Sequence, residues 1–527
     1  MGLKLTSKKS DKNVNEQVND KQVLNNDGGY VFQSSDLMRV ERFLKLGVEG
    51  GTFYQTENDL LNENSKVVLS MIKCGRGVEI LNLTKEVSIK GLARKNDYAI
   101  YTLALLLTAG NTEVKSLAVQ SVNEICRTGT HIFTLAQYIK DLRGWGTIVK
   151  KTFKNWYLGK KESDLAYQIV KYQQRNNWSH KDLLRLNHIK APNDILGQIF
   201  AYIIKGEIPK SDILNIIQGF ELAKVVTTEP DIISLIEKYH LSREMIPTQF
   251  LNKPSVIKAM LPFSGVTAIV RSIASWTACG FIDEYKPENI IAIENVLTNK
   301  DAIKKSKIHP LQLLDAIATY SSGRGLKGNL TWIANYRIVS ALEVAFELSF
   351  DNVEPTGKKI YVACDVSLSM TSNMNGSHLT CMTVEAMFVK LFIKTERNTI
   401  VKGFTSNIQN LNITPNMTLS QVEREFHNIS WGGTDCSLPM IDAMNNKIKD
   451  IDTFIIFTDS DTNGGKHPYL KLEEYRKFSG NPKVKMVVCA MTSSGFTIAN
   501  PDDNYMYDIV GFSPDLPITL NHILNEK

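Results

Sequence analysis

From about residue 36 to 350, apolar residues return every three to four positions, in runs such as "DLMRVERFLKLG", "YAIYTLALLLTAG", "EVKSLAVQSVNEICR", "PNDILGQIFAYIIKG" and "VTAIVRSIASW". Polar or glycine-containing breaks separate the runs, and no convincing strand alternation appears in this part. Short helices joined by short turns over about 300 residues predict stacked helical pairs, an α-solenoid, although no strict sequence period establishes repeats. Ahead of them, residues 1–29 are rich in Lys, Asn, Asp and Gln and offer little to bury, which predicts a disordered N-terminal tail.

After "NVEPTGKK" the pattern changes. "IYVACDVS", "TIVKGF", "TFIIFTDS" and "VKMVVCAMT" are short apolar runs that alternate with helical stretches near 380–396, 418–427, 436–448 and 470–479. This predicts a doubly wound α/β domain with a mostly parallel sheet. Ligands of such sheets bind beyond the carboxyl ends of the strands. Asp365, Ser367 and Ser369 leave the first strand end, Thr434 of "GGTD" precedes another helix, and Asp459 of "IIFTDSDT" leaves a third strand end. Two carboxylates about 5 Å apart would repel by roughly 3 kcal/mol at an effective dielectric of 20. A divalent cation removes that cost. Hydroxyl and carboxylate oxygens without imidazole or thiolate favour a hard ion, Mg²⁺ above all, with a coordination position left for an acidic group of a partner. The competing reading has the serines capping a helix and the aspartates satisfying loop amides.

With 527 residues and 43% apolar content, two or three domains are expected. The seven cysteines are widely spaced and include no CxxC pair, which suits a reducing compartment. The N-terminus lacks the apolar core of a signal peptide and no run is long enough to span a bilayer, so a soluble intracellular protein is expected. "MGLKLTSK" matches the loose myristoylation pattern, but without a second membrane signal it reads as tail. Residues 356–527 carry 16 Lys/Arg and 18 Asp/Glu, a net −2, against +8 before them. Residues 131–190 alone hold 12 Lys/Arg and 4 Asp/Glu, a local excess that suits a polyanion. Interleaved aromatics, Phe133, Tyr138, Trp145, Phe153, Trp156, Tyr157, Tyr167, Tyr172 and Trp178, serve the core in the main and offer base-stacking surfaces where exposed. Lys171 and Arg175, four apart, would share one helix face and form a two-point phosphate grip.

Residues 356–527, with DxSxS, then Thr, then Asp, resemble a von Willebrand factor A domain carrying a metal-ion-dependent adhesion site. Through "DGGYVFQSSDLMRVERFLKLGVEGGTFY", "KYQQRNNWSHKDLLRLNHIK", "KIHPLQLLDAIATYSSGRGLKGNLTW" and "GGTDCSLPMI", nearly the whole chain beyond the tail resembles the Ro autoantigen (SS-A/Ro ribonucleoprotein) family. That resemblance implies a mainly α architecture, a HEAT-like α-solenoid ring formed by a TROVE domain over residues 30–355, followed by the α/β A domain over 356–527, which helps close the ring. It implies binding of small noncoding Y RNAs on the outer surface and of single-stranded ends of misfolded noncoding RNAs in the central hole. It also implies RNA quality control and a monomeric protein within a ribonucleoprotein. Lys171, Arg175 and His188 fall on positions that contact Y RNA in the family. Arg127, Thr130, His131 and Lys140, in the neighbouring basic segment, are further candidates. The metal set is Asp365, Ser367, Ser369, Thr434 and Asp459. Asp461 stands where the family usually has Glu and is expected to leave the ion site little affected.

The alternative function is a scaffold that captures acidic protein partners through Mg²⁺ in the A domain. Catalysis is not expected. An aspartyl nucleophile of the haloacid-dehalogenase type needs a second carboxylate two residues on, where this chain has Ser367, and no Walker P-loop, HExxH or GxSxG occurs. The expected location is the cytoplasm, with nuclear entry left to a carried RNA or partner, because no strong basic import cluster is visible.

Overall fold

Small polar residues write many of the helix starts. Ser35, Thr56, Asn111, Asn193, Thr228 and Asn299 each accept a hydrogen bond from the amide three residues on, satisfying a donor that the first turn leaves free. The computed structural model describes residues 11–142, 144–325, 329–350, 355–374, 377–396, 398–429 and 432–526. Helices follow one another from Asp36–Leu46 to Tyr336–Leu348, each burying one face. In Gly129–Leu142, for example, Ile132, Phe133, Leu135, Ala136 and Ile139 are wholly buried, at the spacing that marks a helix in the sequence.

The helical segment turns back on itself. Arg94 pairs with Asp315 of helix Pro310–Ser321 at 2.8 Å, Gln312 donates to the Arg94 carbonyl at 2.9 Å, and the Lys307 ammonium donates to the Ile89 carbonyl. Contacts across more than 200 residues thus join early and late helices. A cavity of about 330 Å³ between them is lined by Arg94, Lys95, Arg271, Asp315 and Tyr320 among others. Among the described residues, no helix is long and apolar enough to cross a membrane.

The strands are β1 (Val23–Leu24), β2 (Tyr30–Gln33), β3 (Gln174–Arg175), β4 (Trp178–Ser179), β5 (Ile360–Asp365), β6 (Thr399–Phe404), β7 (Ile408–Asn410), β8 (Thr453–Thr458), β9 (Lys485–Ala490), β10 (Phe496–Thr497) and β11 (Met506–Val510). The main sheet has the order β11-β9-β8-β5-β6-β7, parallel except for β6–β7. β5, β8 and β9 are buried at every position, which explains their uninterrupted apolar runs. Cys364 of β5 sits opposite Phe457 of β8, so Asp365 and the Thr458–Asp459 turn emerge side by side. β5 lies between β6 and β8, where the strand order reverses, the position at which such sheets bind ligands.

The expected disordered tail over residues 1–29 needs correction. Residues 1–10 lie outside the described residues, but 11–29 fold onto the A domain. β1 pairs with β2, and β2 pairs with β10 of the A domain. The Val14 amide donates to the Gly465 carbonyl at 3.0 Å, and Gln22 and the Glu16 carbonyl both bond the His467 ring. Val14, Gln22 and Asn25 are buried. Composition predicted disorder because little here is apolar, yet the attachment runs through backbone and amide hydrogen bonds to partners more than 400 residues away.

Candidate metal site and basic face

Asp365 ends β5 and is fully buried, while Ser367, Ser369, Thr434 and Asp459 are 2 to 4% exposed. The Ser367 amide donates to Asp365 Oδ1 at 3.0 Å and the Thr458 hydroxyl to Oδ2 at 2.6 Å. The Ser367 and Ser369 hydroxyls lie 3.2 Å apart. Thr434 is bound to the loop after β8: its amide donates to Asn463 Oδ1 at 3.0 Å and its carbonyl accepts from the Thr462 hydroxyl at 2.7 Å. Asp459 Oδ1 accepts from the Asp461 amide at 3.1 Å. Three loops therefore bring together the five residues singled out in the sequence.

The electrostatics favour a cation here. Burial pushes Asp365 up to about 6 against hydrogen bonds from Ser367 and Thr458 that favour its charge. Burial also raises Asp459 well above the usual carboxylate range, with Asp461 and Asp365 adding to the rise. Among the described residues no Lys, Arg or His pairs with Asp365, Asp459 or Asp461, and the buried Ser460 hydroxyl has no partner. No three His, Cys, Asp or Glu side chains form a metal set among them either. An ion here would rest on two carboxylates and three hydroxyls, a hard-oxygen set that fits Mg²⁺. If so, Mn²⁺ affinity measured calorimetrically should rise with pH through about 6 as Asp365 gives up its proton, with proton release on binding. Affinity independent of pH from 5 to 7.5 would speak against these ligands.

Asp461 is closer to this chemistry than the sequence suggested. It is 1% exposed, its charge raises Asp459, and burial pushes it up to about 6. It accepts from the Asn26 amide at 3.0 Å and from the Asn26 side chain at 3.3 Å. The alternation of Asp459 and Asp461 in "FTDSDT" was the signal for it.

The basic stretch forms a second locus. Lys171 ends helix Glu162–Lys171, but Arg175 lies in β3, so the expected single helix face is not formed. Asn176 and Asn177, at φ 51° and 61°, make the tight turn between β3 and β4, with Arg175 opposite Trp178. Asparagine tolerates that left-handed conformation, and "RNNW" was the overlooked hairpin signal. The Lys171 ammonium contacts the Tyr167 hydroxyl at 3.0 Å and Glu244 at 3.8 Å. Arg175 is exposed.

Arg127, Thr130 and His131 lie at the start of Gly129–Leu142, beside Tyr172 and Gln168 of the Lys171 helix. Burial holds Arg127 below its usual range, and its buried Nε has no partner. Burial, then Arg127 and Arg175, push His131 down to about 3, so it is neutral and can act only as a hydrogen-bonding ring. Lys160 and Lys307 face the same cluster, and each is held down chiefly by burial. Lys307 arrives from a helix far along the chain, so nothing local in the sequence pointed to it. Lys140 stands apart, 6.0 Å over the Trp178 ring, on a cavity of about 390 Å³ shared with Asn176, Asn177 and Arg185. His188 is exposed in a left-handed conformation at the end of His180–Asn187. Of the interleaved aromatics, Phe133, Phe153, Trp156 and Tyr157 are core, whereas Trp145 and Trp178 stack 5.2 Å apart and remain half-buried.

Comparison with known proteins covers both halves of the chain. The TROVE domain family matches residues 23–211 and 238–358, and the Ro60 vWA domain family matches 359–523. "RNA-binding protein RO60" of Caenorhabditis elegans is 32% identical over 97% of this chain and 91% of that protein. The protein of the same name from Deinococcus radiodurans is 33% identical over 95% of each. The crystal structure of the Deinococcus radiodurans RO (RSR) protein superposes with a TM-score of 0.70 at 31% identity, over 93% of this chain and 99% of that one. The helical closure, the parallel sheet and these matches agree, and the chain belongs to the Ro60 family, joining a TROVE domain to a Ro60 vWA domain.

Proposed function

We propose that this chain is a non-enzymatic RNA-binding protein. It holds small noncoding RNAs of the Y class on its outer basic face and admits single-stranded ends of misfolded noncoding RNAs to the hole of the helical ring. In this reading it serves RNA quality control and ribonucleoprotein assembly in the cytoplasm, with nuclear access through its cargo. The relatives' names support RNA as the ligand. The observation that carries the reading for this chain is the gathering of Arg127, Lys160 and Arg175 around His131, with Lys307 beside Arg127 and, among the described residues, no carboxylate in salt-bridge reach of Arg127. Concentrated positive charge left unneutralised by the protein is what a phosphate backbone relieves.

Filter binding of a structured RNA with single-stranded flanks should show log affinity falling linearly with log salt, at about −0.7 to −0.9 per phosphate contacted. Binding that is absent, or insensitive to salt, would remove the reading. A second role is favoured by the buried Asp365–Asp459 pair: with Mg²⁺ in the A domain, the same chain would capture an acidic protein partner. In that case EDTA abolishes capture and leaves RNA binding intact.

A further inference from the structure

We propose that the cavity beside the β3–β4 hairpin is a seat for one unpaired nucleotide of a bound RNA, its base stacking on Trp178 and its phosphates meeting Lys140 and Arg185. This rests on the RNA reading above and adds that the basic face recognises single-stranded RNA by base stacking as well as by charge.

Trp178 ends a ladder of rings that starts in the core. Phe153 is wholly buried, Trp145 stacks on it at 5.3 Å and 8°, and Trp178 stacks on Trp145 at 5.2 Å and 20°. The two tryptophans are half-buried. Hydrogen bonds fix their planes. The Trp145 indole donates to Asn187 Oδ1 at 2.8 Å, and the buried Asn187 amide donates in turn to the Leu183 carbonyl at 2.7 Å. The Trp178 indole donates to Gln137 Oε1 at 3.1 Å. A large flat ring held in this way is a stacking platform that loses little freedom when a base is added.

The platform borders a cavity whose chemistry suits a nucleotide. Trp178 lines a space of about 390 Å³, the size of a small-ligand site, together with Lys140, Asn176, Asn177, Arg185 and Leu186. The Lys140 ammonium stands 6.0 Å over the Trp178 ring, and Arg185 is exposed. Among the described residues lining the cavity, the one carboxylate, Asp182, is bound to its own helix start, accepting from the Ser179 amide at 2.9 Å and from the Ser179 hydroxyl at 2.5 Å. Positive charge therefore prevails there. Asn176 and Asn177 carry amide groups that can both donate to and accept from a base edge. The cavity also adjoins the expected phosphate contacts: Arg175 is opposite Trp178 across the hairpin, and the His188 amide donates to the Arg185 carbonyl at 3.3 Å. A base inside a duplex has both faces covered by its neighbours, so only an unpaired nucleotide can use the ring.

The test uses the full chain, a short single-stranded RNA carrying one 2-aminopurine, and a duplex RNA of matched length. Binding of the single strand should quench the 2-aminopurine fluorescence. Trp178→Ala should abolish the quench and weaken single-strand binding about tenfold, with the salt slope and duplex affinity unchanged, because a stack carries no charge. Trp178→Phe should retain most of the affinity, and with the exposed Arg185→Gln it keeps the seat testable if Trp178→Ala melts early. Lys140→Gln and Arg185→Gln should each make the slope shallower by about 1. A quench that survives Trp178→Ala, or single strand and duplex weakened alike or not at all, would overturn the seat while leaving salt-dependent RNA binding standing. No salt-dependent binding of either RNA by the unaltered chain would overturn the RNA reading and the seat with it.

Discussion

The combined variant Lys171→Gln, Arg175→Gln and His188→Ala is expected to lose roughly 100- to 1,000-fold in affinity for structured RNA near 0.1 M salt, each lost phosphate contact counting for about 1 to 1.5 kcal/mol. The salt slope should also become shallower by about 2, one for each cation removed. The fold should survive. Arg175 and His188 are exposed and bonded to their neighbours through backbone groups, and Gln at 171 keeps a polar group near the Tyr167 hydroxyl. Circular dichroism and an unchanged melting temperature would establish this. His131→Gln offers a contrast, because a neutral ring replaced by a neutral amide should leave the slope alone while lowering affinity only modestly. Full affinity with an unchanged slope in the triple variant would place the RNA elsewhere.

Legibility in the sequence followed the range of the interactions that fix each element. β5 and β8 were readable because a strand buried on both faces must be apolar throughout, so Asp365 and Asp459 stood out where the runs stop. The helical half was readable from its spacing. The β3–β4 hairpin was not, because strands of two residues show no alternation, and Lys171 and Arg175 were placed on a helix that ends between them. Residues 11–29 were misread because their order depends on Gly465, His467, Thr462 and β10, which local composition does not register. Lys307 was missed for the same reason. In the candidate metal site Asp365, Ser367, Ser369, Thr434 and Asp459 were legible as a motif, whereas Asn26, which bonds Asp461, comes from a remote segment and carries no motif at all.

Arg42→Ala should destabilise the chain by about 3 to 5 kcal/mol at neutral pH. Arg42 sits on helix Asp36–Leu46 with a wholly buried side chain, donates to the Ser494 and Phe496 carbonyls at 3.0 and 2.8 Å, and pairs with Asp508 of β11. It therefore pins the first helix of one domain to the edge strand of the other. Burial alone pushes Asp508 up, and Arg42 is the largest influence opposing it. Truncation leaves a half-buried carboxylate facing a void, its remaining side-chain support reduced to hydroxyls such as that of Ser34 at 2.8 Å. The folded-state affinity of Asp508 for a proton then rises, so the deficit of the variant should grow as pH increases through that raised value and shrink as pH falls below it, where the protonated acid fits the gap. Asp508→Asn added to Arg42→Ala removes the stranded charge and should recover 1.5 kcal/mol or more, the coupling expected of a contacting pair. Denaturant unfolding with both singles and the double decides the matter. A loss under about 1 kcal/mol for Arg42→Ala, additive with Asp508→Asn, would mean that the junction between the domains is held by its apolar contacts and not by this ion pair.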